Sequence, residues 1–399
     1  MEITNKSANL GVTVVALLAF VFSPQLFAQE PNAGSILYSP DLVEAQFAEA
    51  LDDHVTEVTG LPKVTPFNAD MVNTENVASD GDNVYVAVLD TGMLLAAPFF
   101  FSDAKIAWNL GKGFSHDLSW DDDAGIVVGP LRDDRGIWTD LASGHGTHVA
   151  STVVGFRVND SFWVRGIAPK ATIIPVLVLD AWLVDSPFGE LELSGGTDEM
   201  IAAGITYIAD LSDTLDGPVV INMSLGGPTR SAMIEAAVDY AISKGVVVVA
   251  SAGNNGTDGM GYPGGLPQII SAAAAGWSEM LLNGWTADVP EKTNHGDALG
   301  NNRSFYLENF SSRPLKDLGQ KHQHLDVAAP GAYVVGPYKS SFRNNVGYYY
   351  LSGTSMAAPH VASIAAMLLQ SDPSLSHSEV ERKLRQAGHG QPLPANGAV

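Results

Sequence analysis

Val84-Tyr-Val-Ala-Val-Leu-Asp-Thr-Gly92 reads as a strand buried on both faces that ends on a carboxylate and turns at a glycine. An apolar run without alternation has no solvent face, which is the mark of a strand inside a parallel sheet covered by helices. The pattern returns down the chain. Strands are expected at 84–89, 172–179, 218–223, 245–251, 268–274 and 324–329, and helices at 145–156, 197–210, 229–243, 354–370 and 376–387. This alternation predicts an α/β fold, a doubly wound, mainly parallel sheet with helices on both faces. Such sheets place ligands beyond the carboxyl ends of their strands. Asp90, Ser224 and Asn254 all fall there.

Ser352-Gly-Thr-Ser-Met-Ala-Ala-Pro-His360 sets a serine on a glycine-led turn at the mouth of an apolar helix, Val361 to Leu369. The first turn of a helix has backbone N–H groups without intrahelical partners and the positive end of the dipole, so a nucleophile there sits beside ready oxyanion donors. Pro359 is expected in that first turn, where proline is tolerated. Serine needs a base, and the base needs an orienting acid. Ser143-Gly-His-Gly-Thr-His-Val-Ala-Ser-Thr152 puts His145 at the start of another helix, and Asp90 supplies the carboxylate. Asp, His, Ser is one of the three chain orders in which this geometry recurs. His145 is then expected within about 2.6–3.2 Å of both Asp90 and Ser355.

These three blocks resemble the aspartate, histidine and serine motifs of the subtilisin-like serine proteases, the subtilases. Val246-Val-Val-Val-Ala-Ser-Ala-Gly-Asn-Asn-Gly256 resembles the family's oxyanion-hole strand, and Val220-Ile-Asn-Met-Ser-Leu-Gly-Gly-Pro228 its substrate-binding segment. The five run in family order from about Asp82 toward the C-terminus. The resemblance implies a secreted serine endopeptidase with Ser355 as nucleophile, His145 as general base and then acid, and Asp90 as the orienting carboxylate. Asn254 would serve the oxyanion together with the Ser355 backbone N–H. Ser224, Leu225, Gly226 and Gly227, and across from them Ser194, Gly195 and Gly196, would pair with substrate backbone, the glycines leaving room for close approach. The pocket for the residue before the scissile bond, P1, would lie between 224–227 and 251–255. Neither segment carries an acid, so an apolar or aromatic P1 is expected. The segment Val158 to Trp163 resembles the family's calcium loop, which makes Asn159, Asp160 and Asp103 the metal candidates. Calcium would be structural, and no cofactor is expected for catalysis. Ser151 departs from the glycine common at its place.

Other readings remain open. His145 and His148 stand near metal-ligand spacing, but His-Glu-x-x-His is absent and no third ligand cluster is visible. An α/β-hydrolase needs Gly-x-Ser-x-Gly with the acid and histidine following the serine, and no such pentapeptide occurs. A catalytically silent scaffold of the same fold, or an acyl transferase that joins peptides, shares the sequence features of the protease.

Residues 1–28 have the anatomy of a signal peptide: Lys6, an apolar run from Leu10 to Phe22, Pro24, and Leu26-Phe-Ala28 before Gln29. Residues 29–58 are expected to be an N-terminal extension or residual pro-segment, and 59–399 a single catalytic domain. Without cysteine there is no disulfide, no thiol nucleophile and no lipid-anchored lipoprotein. The net charge of −23, from 44 acidic and 21 basic residues, argues against nucleic-acid binding. The expected protein is a monomer outside the cytoplasm, extracellular or periplasmic, acting on polypeptides without stable membrane association. Two insertions stand out. Residues 111–142, rich in aspartate, are expected as an exposed loop able to offer a cation site, and 277–308 as an insertion near the substrate groove.

Overall fold

The structure, a computed structural model, describes residues 61–139, 141–159, 161–277, 305–339 and 346–388, with the backbone also of 297–298. The leader, the segment 29–58, Asp160 and most of the insertion at 277–308 lie outside the described residues.

A ten-stranded sheet carries the fold. Its strands include β1 (Tyr85–Asp90), β2 (Lys112–Asp121), β3 (Gly125–Arg135) and β4 (Thr172–Leu177). A separate hairpin, β5 (Asp180–Ser186) with β6 (Gly189–Gly195), follows. The sheet continues with β7 (Val219–Met223), β8 (Val247–Ser251), β9 (Ile270–Trp277) and β10 (Val327–Pro330). Across the sheet the order is β9, β8, β7, β1, β4, β2, β3, with β10 also on β9 and Phe305–Leu307 antiparallel beside it. From β10 to β2 every pairing named here is parallel. The chain fills one side of β1 and then crosses to the other, so β1 marks the topological switch.

Alternate residues of each inner strand feed two cores. Val86 and Val88 face one cluster with Val149, Val153, Val361 and Leu369, and Ala87 and Leu89 the opposite one with Ile205, Ile208 and Val238. Each such fully buried Val, Leu or Ile contributes about 1.5–3 kcal/mol of transfer free energy. The first cluster is covered by α1 (His145–Val154), the second by α2 (Asp198–Ser212) and α3 (Ala232–Ser243). α4 (Thr354–Ser371) joins α1, and α5 (His377–Ala387) closes the described chain. Helices expected from 197, 229 and 376 begin a little later because Thr197, Ser231 and Ser376 are N-caps, their side chains accepting the N–H of Met200, Ile234 and Glu379.

Two expectations are corrected. Residues 111–142 are no exposed loop: β2 and β3 pair in an antiparallel hairpin that forms the sheet's edge. The acids tolerate this because beyond its first turns the ladder is solvated on both faces. Asp121 Oδ1 closes the turn by accepting the N–H groups of Asp123 (3.0 Å) and Ala124 (2.8 Å). Asp133 pairs with Lys112, and Asp117 and Asp134 with Arg132. Pro359 is the sixth residue of α4 and not in its first turn. A proline there leaves the carbonyl four residues back, that of Ser355, without its helical donor. Ser224 Oγ donates to that carbonyl instead, at 2.7 Å.

Candidate active site

Asp90 closes β1 with its side chain fully buried, and His145 opens α1 beside it. His145 Nδ1 lies 2.8 Å from Asp90 Oδ1 and 2.9 Å from Oδ2. A carboxylate only accepts, so Nδ1 carries the proton and Nε2 presents its lone pair. The aspartate half of the expected geometry is therefore met. Two local features bring the groups so close. A Cβ on Gly146 would fall 2.4 Å from the Gly92 carbonyl, so only glycine lets α1 approach the end of β1. Thr91 ties the two elements: its N–H donates to Asp90 Oδ1 (2.7 Å), its hydroxyl to Ser143 O (3.0 Å), and it accepts the Gly146 N–H (2.9 Å).

Ser355 is the second residue of α4, so its N–H belongs to the first turn and has no intrahelical acceptor. Its hydroxyl donates to Ser224 O at 3.2 Å, while Ser224 Oγ accepts from Asn222 Nδ2 at 3.0 Å. Ser355 and His145 line one open cleft, with Tyr338, Leu351, Ser352, Gly353 and Met356.

Asn254 follows β8. Its Oδ1 accepts both the backbone N–H (2.9 Å) and the hydroxyl (3.0 Å) of Thr354, whose Oγ1 accepts the Gly253 N–H at 3.1 Å. With the carbonyl oxygen so held, the NH₂ group is the donor end of the Asn254 side chain. Thr354, Thr91 and Tyr338 were not picked out in the sequence. A hydroxyl directly beside each of Ser355 and Asp90 was the available signal for the two threonines; Tyr338 has none, because its place in the cleft arises from packing between distant segments.

Of the remaining candidates, Ser224 is buried under Ser355, and Leu225 O accepts from Ser251 Oγ at 3.2 Å. Gly227 pairs in both directions with Tyr262, which brings a third segment to the wall between 224–227 and 251–255. Ser194 and Gly195 end β6, and the missing Cβ of Gly196 accommodates the Val178 carbonyl of this chain. Val178 and Leu179 donate backbone N–H groups to Asp90 O, which roots that hairpin at the same rim.

His148 and His360 are packing residues. Burial lowers His148 to about 3, with the charge of His145 adding to the effect, and its Nε2 lies 3.1 Å from Val334 O. Burial lowers His360 to about 4; Nδ1 bonds Met356 O (2.7 Å) and Nε2 bonds Asn68 Nδ2 (2.9 Å). Ser151 is accommodated: its hydroxyl donates to His148 O at 2.7 Å and lies against Gly336, which has no Cβ to meet it. Among the described residues no three His, Asp or Glu gather as a metal site. Asp103 Oδ1 accepts the Trp108 indole N–H at 3.3 Å, and the backbone N–H of Asn159 goes to the Tyr348 hydroxyl, also at 3.3 Å. Asp160, the third candidate, lies outside the described residues, and no step below uses a metal.

The Subtilase family model matches residues 81–395. Subtilisin DY of Bacillus licheniformis is 30% identical over 329 residues, covering 81% of this chain and 90% of that protein. M-protease of Shouchella clausii is 30% identical over 362 residues, covering 89% and 74%. Among solved structures, the S41 psychrophilic protease superposes with a TM-score of 0.54 at 28% identity, covering 82% of this chain and 91% of the other. The chain belongs to the subtilase family. It is a subtilisin-like serine protease with a buried aspartate–histidine pair.

Proposed function

We propose that the protein is an exported endopeptidase that cleaves extended polypeptides through an acyl-enzyme on Ser355. The observation that carries this reading is the His145 imidazole, locked by buried Asp90 with Nδ1 inward, in one cleft with Ser355. Nε2 of His145 takes the Ser355 proton as Oγ bonds the scissile carbonyl carbon, and the carbonyl π pair moves onto oxygen. That oxyanion receives N–H groups from Asn254 Nδ2 and the Ser355 backbone. Collapse expels the amine, which takes the proton from His145 Nε2, and a water repeats the sequence to free the acid. Asp90 holds the tautomer and stabilises the imidazolium without itself taking a proton.

Ser224 to Gly227 and Ser194 to Gly196 are the two edges between which the peptide would add as a strand. The P1 pocket between 224–227 and 251–255 lacks an acid, so apolar and aromatic P1 residues are preferred. Peptide anilides with Phe and Arg at P1 test this: Phe turns over faster, and faster turnover of Arg would reject that pocket reading. Export rests on the leader-like residues 1–28, with 29–58 as an extension and 59–399 as the catalytic unit. Among the described residues no helix is long and apolar enough to cross a membrane.

A further inference from the structure

Asn254 stands in a loop between two glycines in the left-handed region, Gly253 at φ +102° and Gly256 at φ +58°. Glycine reaches these conformations without steric cost, and the freedom it brings must be removed by something else if a side chain in the loop is to be placed precisely. Thr354 of α4 holds the Asn254 side chain at its carbonyl oxygen. The backbone on either side is held from a different part of the chain.

Residues 310–313 run beside the loop. The Ser312 N–H donates to Gly253 O at 2.9 Å, and Ser312 Oγ accepts the Asn255 N–H at 3.0 Å, so a single residue grips the chain on both flanks of Asn254. The Gly256 N–H donates to Phe310 O and the Arg313 N–H to Gly256 O, both at 2.8 Å. The gripping segment is itself fixed to the central sheet through one residue of β9: the Glu308 N–H donates to Ala274 O at 2.9 Å, and Ser311 Oγ accepts the Ala274 N–H at 3.0 Å. Ser312 is fully buried and so touches no substrate. A Cβ placed on Gly353 would stand 3.6 Å from Asn254 Nδ2 and 3.7 Å from the Ser355 backbone nitrogen, so the two groups offered to the oxyanion border the same space.

We infer that Ser312 is a positioning residue for the oxyanion hole: its N–H and hydroxyl bracket Asn254 and fix the height of its NH₂ group beside the Ser355 N–H. Without the hydroxyl, the Asn255 N–H loses its acceptor and the glycine-flanked loop regains freedom. A misplacement of about 1 Å in a positioned group can cost about 10²-fold in rate. Because the oxyanion exists only in the transition state and the intermediates, the loss falls on kcat and not on KM. This rests on the oxyanion role proposed above for Asn254.

A double-mutant cycle on a peptide anilide tests the bracket. Ser312→Ala is expected to lower kcat by about tenfold with KM changed by less than about twofold. In the Asn254→Ala background the same substitution should lower kcat by less than about twofold, because the donor it positions is already gone. Should the alanine variant fail to fold, Ser312→Cys carries the same cycle, since sulfur nearly keeps the size and accepts only weakly. A folded Ser312 variant with kcat within about twofold of wild type would overturn the inference, and so would a loss that multiplies in full onto Asn254→Ala, which would mean that Ser312 acts elsewhere. Wild-type kcat in Asn254→Ala alone would overturn the oxyanion reading itself and the bracket with it, so the two failures are told apart.

Discussion

β7 and β3 belong to one sheet and share little besides the ladder. All five residues of β7 are buried, whereas β3 is mostly exposed, with Val127, Val128 and Leu131 open to solvent beside acids and arginines. The centre is held by burial against helices on both faces, and the edge by its hairpin ladder and surface ion pairs. Asp90, Ser224 and Asn254 stand at the ends of the central strands, in the part whose geometry is over-determined. Chemistry that needs tenths of an ångström is placed where the backbone has least freedom.

The comparison predicts a graded response. The largest effect belongs to the rim: Asn254→Ala should lower kcat by about 10²–10³ with KM little changed, the range measured for the oxyanion donor of subtilisin, a relative. Steady-state kinetics check it, and a KM effect alone would mean that Asn254 only binds substrate. Next comes the packing beneath the rim. Gly336→Ala drives a methyl into His148 and Ser151 and should cost about 1–3 kcal/mol in denaturant unfolding. Adding Ser151→Ala should recover part of the loss, and an unaltered midpoint for the single variant would show that α1 and the strand Val334–Tyr338 are not tightly apposed. The smallest belongs to the edge. Arg132→Ala, which removes the pairs with Asp117 and Asp134, should leave the unfolding midpoint unchanged at 0.15 M salt, because all three side chains are solvated. A clear drop would mean that the hairpin is held by those pairs and not by its ladder.

The same contrast explains what was legible in the sequence. Unbroken runs such as Val246 to Ala250 admit one reading, so the inner strands and the rim positions they end on could be placed. In β2 and β3, apolar residues interleave with Asp117, Asp121, Asp133 and Asp134, which in one dimension looks like a solvated loop. Only the pairing with β4 and across the hairpin turns it into sheet. Asp90, His145, Ser355 and Asn254 stood out because each sits at an element boundary next to glycine-rich turns. The bond from Ser224 Oγ to the carbonyl freed by Pro359 and the place of Tyr338 in the cleft join segments far apart in sequence, and no local pattern announces them.

The central claim is that Ser355 is the nucleophile, and covalent labelling tests it most directly. Wild type and Ser355→Ala, both verified as folded, are treated with a serine-directed phosphonate, and their intact masses and peptide cleavage are measured. One adduct on the wild type, mapped to Ser355, with no adduct and no cleavage in the variant, is the predicted result. An adduct on the variant, or cleavage undiminished in it, would contradict the assignment.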